Sequence, residues 1–237
     1  PVRISTEAQL IETFGEPTDD NAETWWTAAS FLSYGGVIDV VRCATSGQLT
    51  ASDDAVTSPY VLSIPTKDVY EANYFYAGNN PFKFAARNVG ADQNSLRVAT
   101  IDQGADITLT LDGALTTTTV GTQVQTASAS PNGAKSGYIF AWDGANNKVS
   151  LITSDTWIAT DVIENGVTDL NVTAKSVWYD EQEVFPAVGN KPALKWSAIG
   201  PRPGTSPYVD ARGGKNDELH VVVYDATGEI TGAPNTV

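Results

Sequence analysis

The sequence predicts an α+β fold, in which an α/β core carries a β-rich insertion. Apolar residues recur at helical spacing within the first 35 residues. β-branched runs at 37–43, 96–101 and 219–224 are typical of buried strands. The stretch 107–137 is rich in Thr and has almost no charge, which favours strands over helix. We therefore expect helices near the start of the chain and many strands in its middle.

The expected domain boundaries lie where these patterns change. Residues 1–102 together with 193–237 contain the helical and β-branched segments and are expected to form the α/β core. Within them, Pro and Asp break 44–80 into an irregular excursion. Residues 103–192 are expected to form the β-rich inserted domain. Because an insertion between two core strands costs little chain entropy, we expect Asp102 to Pro192 to be removable without unfolding the rest.

The first predicted helix begins at a capping box. Thr6 followed by Gln9 is a pattern in which the two side chains bond the free N–H groups of a helix start. Leu10 and Phe14 belong to its apolar stripe, and Gly15 supplies the stop.

A second helix is expected to start after Asp20, with Glu23 at its third position, and to run to Tyr34. Gly35 and Gly36 would end it. Four residues share one apolar face of this helix: Ala22, Trp25, Ala29 and Leu32.

Three apolar runs are expected to share one sheet, namely Val37–Arg42, Leu96–Ile101 and Leu219–Tyr224. If they did not pair, each would expose more apolar surface than a monomer normally shows. Cys43, at the end of the first run, is expected to pack as a small hydrophobe. Further along, the turn-rich residues 143–147 between two apolar runs predict a β-hairpin.

Charge and composition restrict the possible partners. The 237 residues include 14 Lys and Arg against 28 Asp and Glu, a formal net charge of −14, so a nucleic-acid partner is not expected. No apolar run reaches the ~18 residues of a membrane span, so no membrane insertion is expected. The chain begins at Pro1 and contains no Met, so we expect it to be either a processed chain or a piece of a longer protein, and not a complete translation product.

No constellation of residues predicts an enzyme. The Gly213–Asn216 run lacks both the first Gly and the Ser or Thr of a phosphate-binding loop. The acid pairs Asp19–Asp20 and Asp53–Asp54 are typical of a helix start and a loop. His220, the single histidine, has no nucleophile motif beside it and is expected to be structural. We expect no catalytic residue, no cofactor and no metal site.

One alternative function remains open from the residues alone. Aromatic side chains on a β-rich module are typical of carbohydrate binding, and the predicted insertion contains Trp142, Trp157 and Trp178. A β-rich carbohydrate-binding module of a virion surface or of a secreted protein is therefore the alternative. A glycosidase would need two carboxylates at a defined separation, which a sequence does not reveal.

Three segments resemble the contractile tail sheath proteins of bacteriophages, and they occur in the order of that family. The first is Pro1 to Ala44, with STEAQLIETFGEP and WWTAASFLSYGGVIDVVRCA. The second, weaker one is NPFKFAARNVGADQNSLRV between Asn80 and Val98. The third runs from Trp196 to Val237 and includes PGTS, NDE and GEITG. Together they cover just under half of the chain.

The resemblance rests on short motifs at helix ends, loops and strand starts. The residues of this chain that match them are Phe14, Gly15, Gly35, Gly36, Val41, Arg42, Pro203, Gly204, Thr205, Ser206, Asn216, Asp217, Glu218, Gly228, Ile230, Thr231 and Gly232.

The resemblance implies a structural subunit without an active site, which stacks as rings around an inner tail tube and contracts during infection. Its implied partners are other sheath subunits, the tube and the baseplate, and its implied location is the virion tail, after assembly in the host cytoplasm. It also implies an N-terminal arm before Pro1 and a C-terminal domain after Val237. This chain would then be the middle, outer portion of a subunit, with 1–102 and 193–237 as the sheath core and 103–192 as a protruding domain.

Overall fold

A computed structural model describes most of the chain. The described residues are 1–17, 19, 21–43, 49–53, 62–77, 80, 82–128, 130–166 and 168–237. Asp20, Asp54 and parts of the predicted 44–80 excursion lie outside them. The chain divides into two compact units, Pro1–Asn94 and Ser95–Val237, which we call unit 1 and unit 2.

Unit 1 contains short strands and helices. In chain order they are β1 (Val2–Ile4), α1 (Glu7–Phe14), α2 (Ala22–Ser33), β2 (Ile38–Val40), β3 (Thr50–Ser52), α3 (Lys67–Tyr70), a π-helical segment (Glu71–Phe75), β4 (Ala85–Val89) and a 3₁₀ segment (Ala91–Ser95) that ends at the boundary. Two antiparallel pairs are present, β1 with β2 and β3 with β4.

Both predicted N-terminal helices are confirmed. The N–H of Gln9 donates to Oγ1 of Thr6 at 3.2 Å, so α1 begins at the predicted cap. The capping residue of α2 is Asn21, one position later than expected. The predicted inner face of α2 packs against α1 and β1, and the buried cluster is Ile4, Leu10, Trp25, Ala29 and Leu32.

The prediction of a buried strand over 37–43 is wrong. Only Ile38–Val40 is extended, and it pairs with β1 alone. Val37 is 55% exposed, Val41 is 62% exposed, and Cys43 is an exposed free thiol. Because a two-stranded pair against helices covers one side only, β-branched residues on the other side remain in solvent.

Unit 2 contains most of the strands. In chain order its elements are β5 (Leu96–Ile101), β6 (Ile107–Leu111), β7 (Gln123–Gln125), β8 (Ser136–Asp143), β9 (Lys148–Ile152), β10 (Val162–Ile163), β11 (Leu170–Val177), α4 (Trp178–Glu181), β12 (Glu183–Phe185), β13 (Leu194–Lys195), a 3₁₀ segment (Trp196–Ala198), α5 (Pro207–Asp210) and β14 (His220–Asp225).

Six strands of unit 2 form one antiparallel sheet that nearly closes into a barrel, in the order β10-β11-β6-β9-β8-β7. At its open seam, the N–H of Ala127 donates to the carbonyl of Val162 at 2.8 Å. The N–H of Glu164 donates to the carbonyl of Gln125 at 3.0 Å. These bonds connect the end of β7 to β10, so few edge groups remain unpaired there.

The barrel lies within the predicted β-rich segment and has its own core. Asp143 pairs with Lys148 across the tip of the β8–β9 hairpin, which confirms the predicted hairpin. The buried core consists of Ile107, Leu109, Leu111, Leu115, Val124, Ile139, Val149, Leu151, Trp157, Ile163, Leu170 and Val172.

The remaining long strands of unit 2, β5 and β14, form a two-stranded antiparallel ribbon that pairs Leu96 with Asp225 and Ile101 with His220. Their predicted pairing is confirmed, but the predicted third strand lies in unit 1 and pairs with β1, so the single three-stranded sheet is wrong. One ribbon face packs against α4, β12 and Trp196. This second core consists of Ile101, Ala105, Trp178, Tyr179, Val184, Phe185, Trp196 and Val222.

The predicted mixture of helix and strand is therefore present, and every strand pair of the described residues is antiparallel. In the described part of the chain, no helix has the length and apolar character that a bilayer crossing requires.

Candidate functional site

The first motif residues form the turn between α1 and α2. Gly15 has a φ of +85°, and its N–H donates to the carbonyl of Ile11 at 2.8 Å. The indole Nε1–H of Trp25 donates to the carbonyl of Gly15 at 2.9 Å. Residues with a Cβ rarely adopt this φ, so glycine is favoured at position 15. The Phe14–Gly15 pair thus sets how α2 folds back against α1.

Gly35 and Gly36 end α2. Gly35 has a φ of +77°, and its N–H donates to the carbonyl of Leu32 at 2.9 Å. A Cβ at Gly36 would lie 2.3 Å from the ring of Phe31. The first glycine permits the backbone turn, and the second leaves room for that ring.

Arg42 connects two parts of unit 1. Its guanidinium lies 5.6 Å from the centroid of the Phe14 ring, a cation–π distance. Its Nη1 donates to Oδ1 of Asn88 at 2.5 Å. Arg42 therefore links the end of α1 to β4, while its neighbour Val41 points into solvent.

The Pro203–Ser206 loop and the Asn216–Glu218 segment bond to each other. Pro203 is fully buried. The N–H of Gly204 donates to Oε2 of Glu218 at 2.8 Å, and the N–H of Glu218 donates to the carbonyl of Gly204 at 3.3 Å. The structure thus brings together two motifs that are ten residues apart in the sequence.

The same two segments share a second set of bonds. Ser206 donates from its N–H to Oδ1 of Asp217 at 2.8 Å and from its hydroxyl to Oδ2 at 2.7 Å. These bonds lower the pKa of Asp217 below its usual value. The N–H of Asn216 donates to Oγ1 of Thr205 at 2.9 Å. Ser206 also caps α5, so the loop, the helix and the segment that precedes β14 form one bonded cluster.

Asp225 organises the last motif, although it is not one of the motif residues. Its buried carboxylate accepts bonds from the N–H groups of Gly228, Ile230 and Thr231 and from the Thr231 hydroxyl, at 2.8 to 2.9 Å. The hydroxyl of buried Ser95 donates to it at 2.6 Å. Burial alone would raise the pKa of Asp225, but these bonds outweigh burial and hold it far below the usual value.

The glycines of this turn also have defined positions. Gly228 has a φ of +86°, and a Cβ there would lie 2.7 Å from the backbone of Ala233. The N–H of Gly232 donates to the carbonyl of Gly228 at 2.9 Å. An acid that ends an apolar strand three residues before a Gly is a signal for a carboxylate-capped turn, and it would have identified Asp225.

Unit 1 contains a groove of about 820 Å³ between the β2 end and the segment 82–88. Its lining is rich in cations, which are Arg42, Lys67, Lys83 and Arg87. Among the described residues that line it, Asp68 is the single acid. Aromatic rings of Phe14, Tyr70 and Phe84 also line the groove. Basic side chains are thus concentrated here in a chain that is strongly acidic overall.

Two exposed apolar surfaces lie elsewhere in the units. On the outer side of α2, Trp26 is 56% and Phe31 is 52% exposed. On the outer face of the β5–β14 ribbon, Val221 and Val223 are about half exposed, and Val98 is the cross-strand partner of Val223. Large apolar side chains grouped on one face are typical of surfaces that contact a partner.

The three tryptophans of the carbohydrate-binding alternative do not form a platform. Trp157 is fully buried in the barrel core, and Trp178 is buried in the second core. Trp142 is half-buried against the barrel core. A stacking platform for a sugar needs an exposed ring face, which the two buried tryptophans do not offer.

Within the described residues, no group of three or more His, Cys, Asp or Glu side chains is placed to hold a metal ion. No family model, curated protein or solved structure matches this chain.

Proposed function

We propose that this chain is a structural subunit of a phage contractile tail sheath, and that its 1–102 and 193–237 segments belong to the sheath core. The observation that supports this is the ordered resemblance of three segments, 1–44, 80–98 and 196–237, to that family. In this proposal its partners are further copies in stacked rings, the tail tube and the baseplate, and its location is the virion tail.

The local structure of the motif residues supports the proposal. Gly15 and Gly35 adopt φ values that glycine favours, and Arg42 links α1 to β4. The 203–206 loop and the 216–218 segment bond to each other. Motif residues that form turns and join distant segments are consistent with a shared fold.

The exposed apolar surfaces also support it. The outer faces of α2 and of the β5–β14 ribbon present Trp, Phe and Val side chains to solvent. A subunit that is surrounded by neighbours would cover such faces, because burying apolar area drives association.

Negative-stain microscopy of the protein expressed from its complete reading frame tests the proposal. Rings or tubes around a central channel are the expected result. Val221→Lys with Val223→Lys, on the outer ribbon face, should weaken assembly by placing two charges in a contact. Val120→Lys, at a 67% exposed position of the barrel, is the matched control and should assemble normally. A complete protein that never polymerises at any salt or crowding condition contradicts the proposal.

A further inference from the structure

The cationic groove of unit 1 has unpaired charge at its rim. Lys83 and Arg87 are both exposed, and they line the groove together with Arg42 and Lys67. Within the part of the chain that the structure describes, Lys67 has a carboxylate partner, Glu71, whereas Lys83 and Arg87 have none. Nη1 of Arg87 donates to the backbone carbonyl of Glu12 at 3.5 Å, which leaves its charge without an anion. Because this surface is electropositive, an acidic group is the ligand that it favours.

The chain itself contains an acidic segment whose negative charge is complementary to the positive charge of the groove. Residues 16–23, from the end of α1 to the first turn of α2, contain four acids and no Lys or Arg. Glu16, Asp19 and Glu23 are exposed, and none of them has an ion pair among the described residues. The exposed ring of Trp26 lies three positions after Glu23, on the same helix face, beside these charges.

We propose that the groove of one copy binds the acidic segment 16–23 of a second copy. The cations at Lys83 and Arg87 would face the carboxylates, and the aromatic lining of the groove would contact Trp26. A second copy is the favoured occupant because its acidic segment complements the groove in both charge and aromatic character. The inference deepens the proposed function and rests on it in one respect, that copies of this chain assemble.

The two surfaces differ from each other, so the contact is heterologous. Each copy would offer a groove to one neighbour and an acidic segment to another, and such contacts build rings or open filaments rather than closed pairs. The net charge of −14 opposes approach, but salt at ~0.1 M screens it beyond ~10 Å while charges in contact still interact. The association is therefore expected to be weak and sensitive to salt.

Sedimentation of the 237-residue chain at rising concentration tests the wild-type behaviour. We expect reversible self-association at ~0.1 M salt, and about a tenfold rise of the apparent dissociation constant at ~1 M, where the screening length falls to ~3 Å. A chain that stays monomeric up to millimolar concentration at the lower salt overturns the inference, and so does association that salt does not weaken.

Charge reversal identifies the two surfaces. One variant combines Lys83→Glu with Arg87→Glu in the groove, and the other combines Glu16→Lys with Asp19→Lys in the acidic segment. Each alone should lose self-association, because like charges then meet. An equimolar mixture should regain it, since each reversed surface meets its complement on the other variant. Circular dichroism shows whether the two variants are folded. If one variant is not folded, the salt dependence of wild-type association still tests the inference.

A matched control reverses the same number of positive charges on a different surface. Lys175→Glu with Lys195→Glu replaces two exposed lysines of unit 2 and should leave association unchanged. A mixture that stays monomeric, or a control that loses association equally, overturns the inference. If the complete protein forms tubes even with the reversed groove, the inference fails and the proposed function stands. If charge-swap association occurs without tubes, the proposed function fails instead.

Discussion

Asp225 shows how one residue fixes a turn. It stands at the end of β14, and five hydrogen bonds satisfy its buried carboxylate. Because one of the donors is Ser95, the carboxylate also ties the turn to the start of β5. An ionised carboxylate is tolerated in a buried position only when several donors surround it.

Asp225→Ala should lower the free energy of unfolding by about 3 kcal/mol, since it leaves the Ser95 hydroxyl and the turn N–H groups without an acceptor. Urea denaturation measures this loss. Asp180→Ala, at an exposed acid of α4, is the control and should change it by less than about 0.5 kcal/mol. Equal effects of the two substitutions would contradict the assigned role.

The depressed pKa of Asp225 also predicts a pH dependence. Its folded pKa lies below the ~3.9 of an unfolded Asp, so the folded state binds this proton more weakly. The contribution of Asp225 to the free energy of unfolding is therefore complete at neutral pH. It is lost as the pH falls below ~5 toward the folded pKa. Thermal melts between pH 7 and 2.5 should show a steeper loss for the wild type than for Asp225→Asn. Parallel curves would show that another group causes the acid sensitivity.

At the scale of elements, the N-terminal helices were predictable because their determinants are local. The Thr6 cap, the Gly15 stop and the apolar face of α2 all lie within one or two helical turns of the residues they organise. The structure of the 37–43 run was not predictable, because an apolar β-branched pattern does not reveal how many neighbouring strands will pair with it. The strand Ile38–Val40 pairs with a single neighbouring strand, β1, and its flanks stay exposed.

The candidate site was predictable in part for the same reason. Sequence motifs selected Gly204, Ser206 and Asp217, but the bonds between them depend on how two segments meet. Ser95 and Asp225 are 130 residues apart, and neither one's neighbourhood indicates the other. Hydrogen bonds between distant segments can therefore be identified only once the fold is known.

A buried ion pair lies beside the barrel seam. Lys135, between β7 and β8, donates from Nζ to both carboxylate oxygens of Asp161, at 2.7 and 2.9 Å, just before β10. The side chain of Asp161 is fully buried. Burial would raise the pKa of Asp161, but bonds from Lys135, Ile158 and Asn132 outweigh it and lower that pKa.

Lys135→Met should lower the free energy of unfolding by about 3 to 5 kcal/mol, because it leaves the Asp161 charge buried without its cation. Replacing both partners, with Lys135→Met and Asp161→Asn, should cost less than the single change, since no charge then remains buried. Chemical denaturation of the two variants gives the comparison. A single variant as stable as the wild type would show that Asn132 and Ile158 suffice.

At the scale of the whole molecule, the barrel is self-contained within unit 2. Every residue of its buried core lies between 107 and 172. The chain enters and leaves it at neighbouring points, because the N–H of Trp178 donates to the carbonyl of Asp106 at 3.4 Å. An insertion with adjacent ends and its own core is the kind that a short linker can replace.

The structure changes the expectation that Asp102 to Pro192 is removable as a whole. Trp178, Tyr179, Val184 and Phe185 lie inside that range but belong to the second core, against the β5–β14 ribbon. Their loss would expose the buried face of the ribbon.

We therefore predict opposite outcomes for two deletions of different length. Replacing 107–177 with a short Gly/Ser linker removes only the barrel and should leave a cooperative thermal transition. Replacing 102–192 also removes four large side chains of the second core, each contributing roughly 1.5 to 3 kcal/mol by burial, so the transition should be lost. Calorimetry of both variants, with the isolated 107–177 segment as a folding control, measures the difference. Cooperative melting of the longer deletion would show that the second core does not stabilise the ribbon.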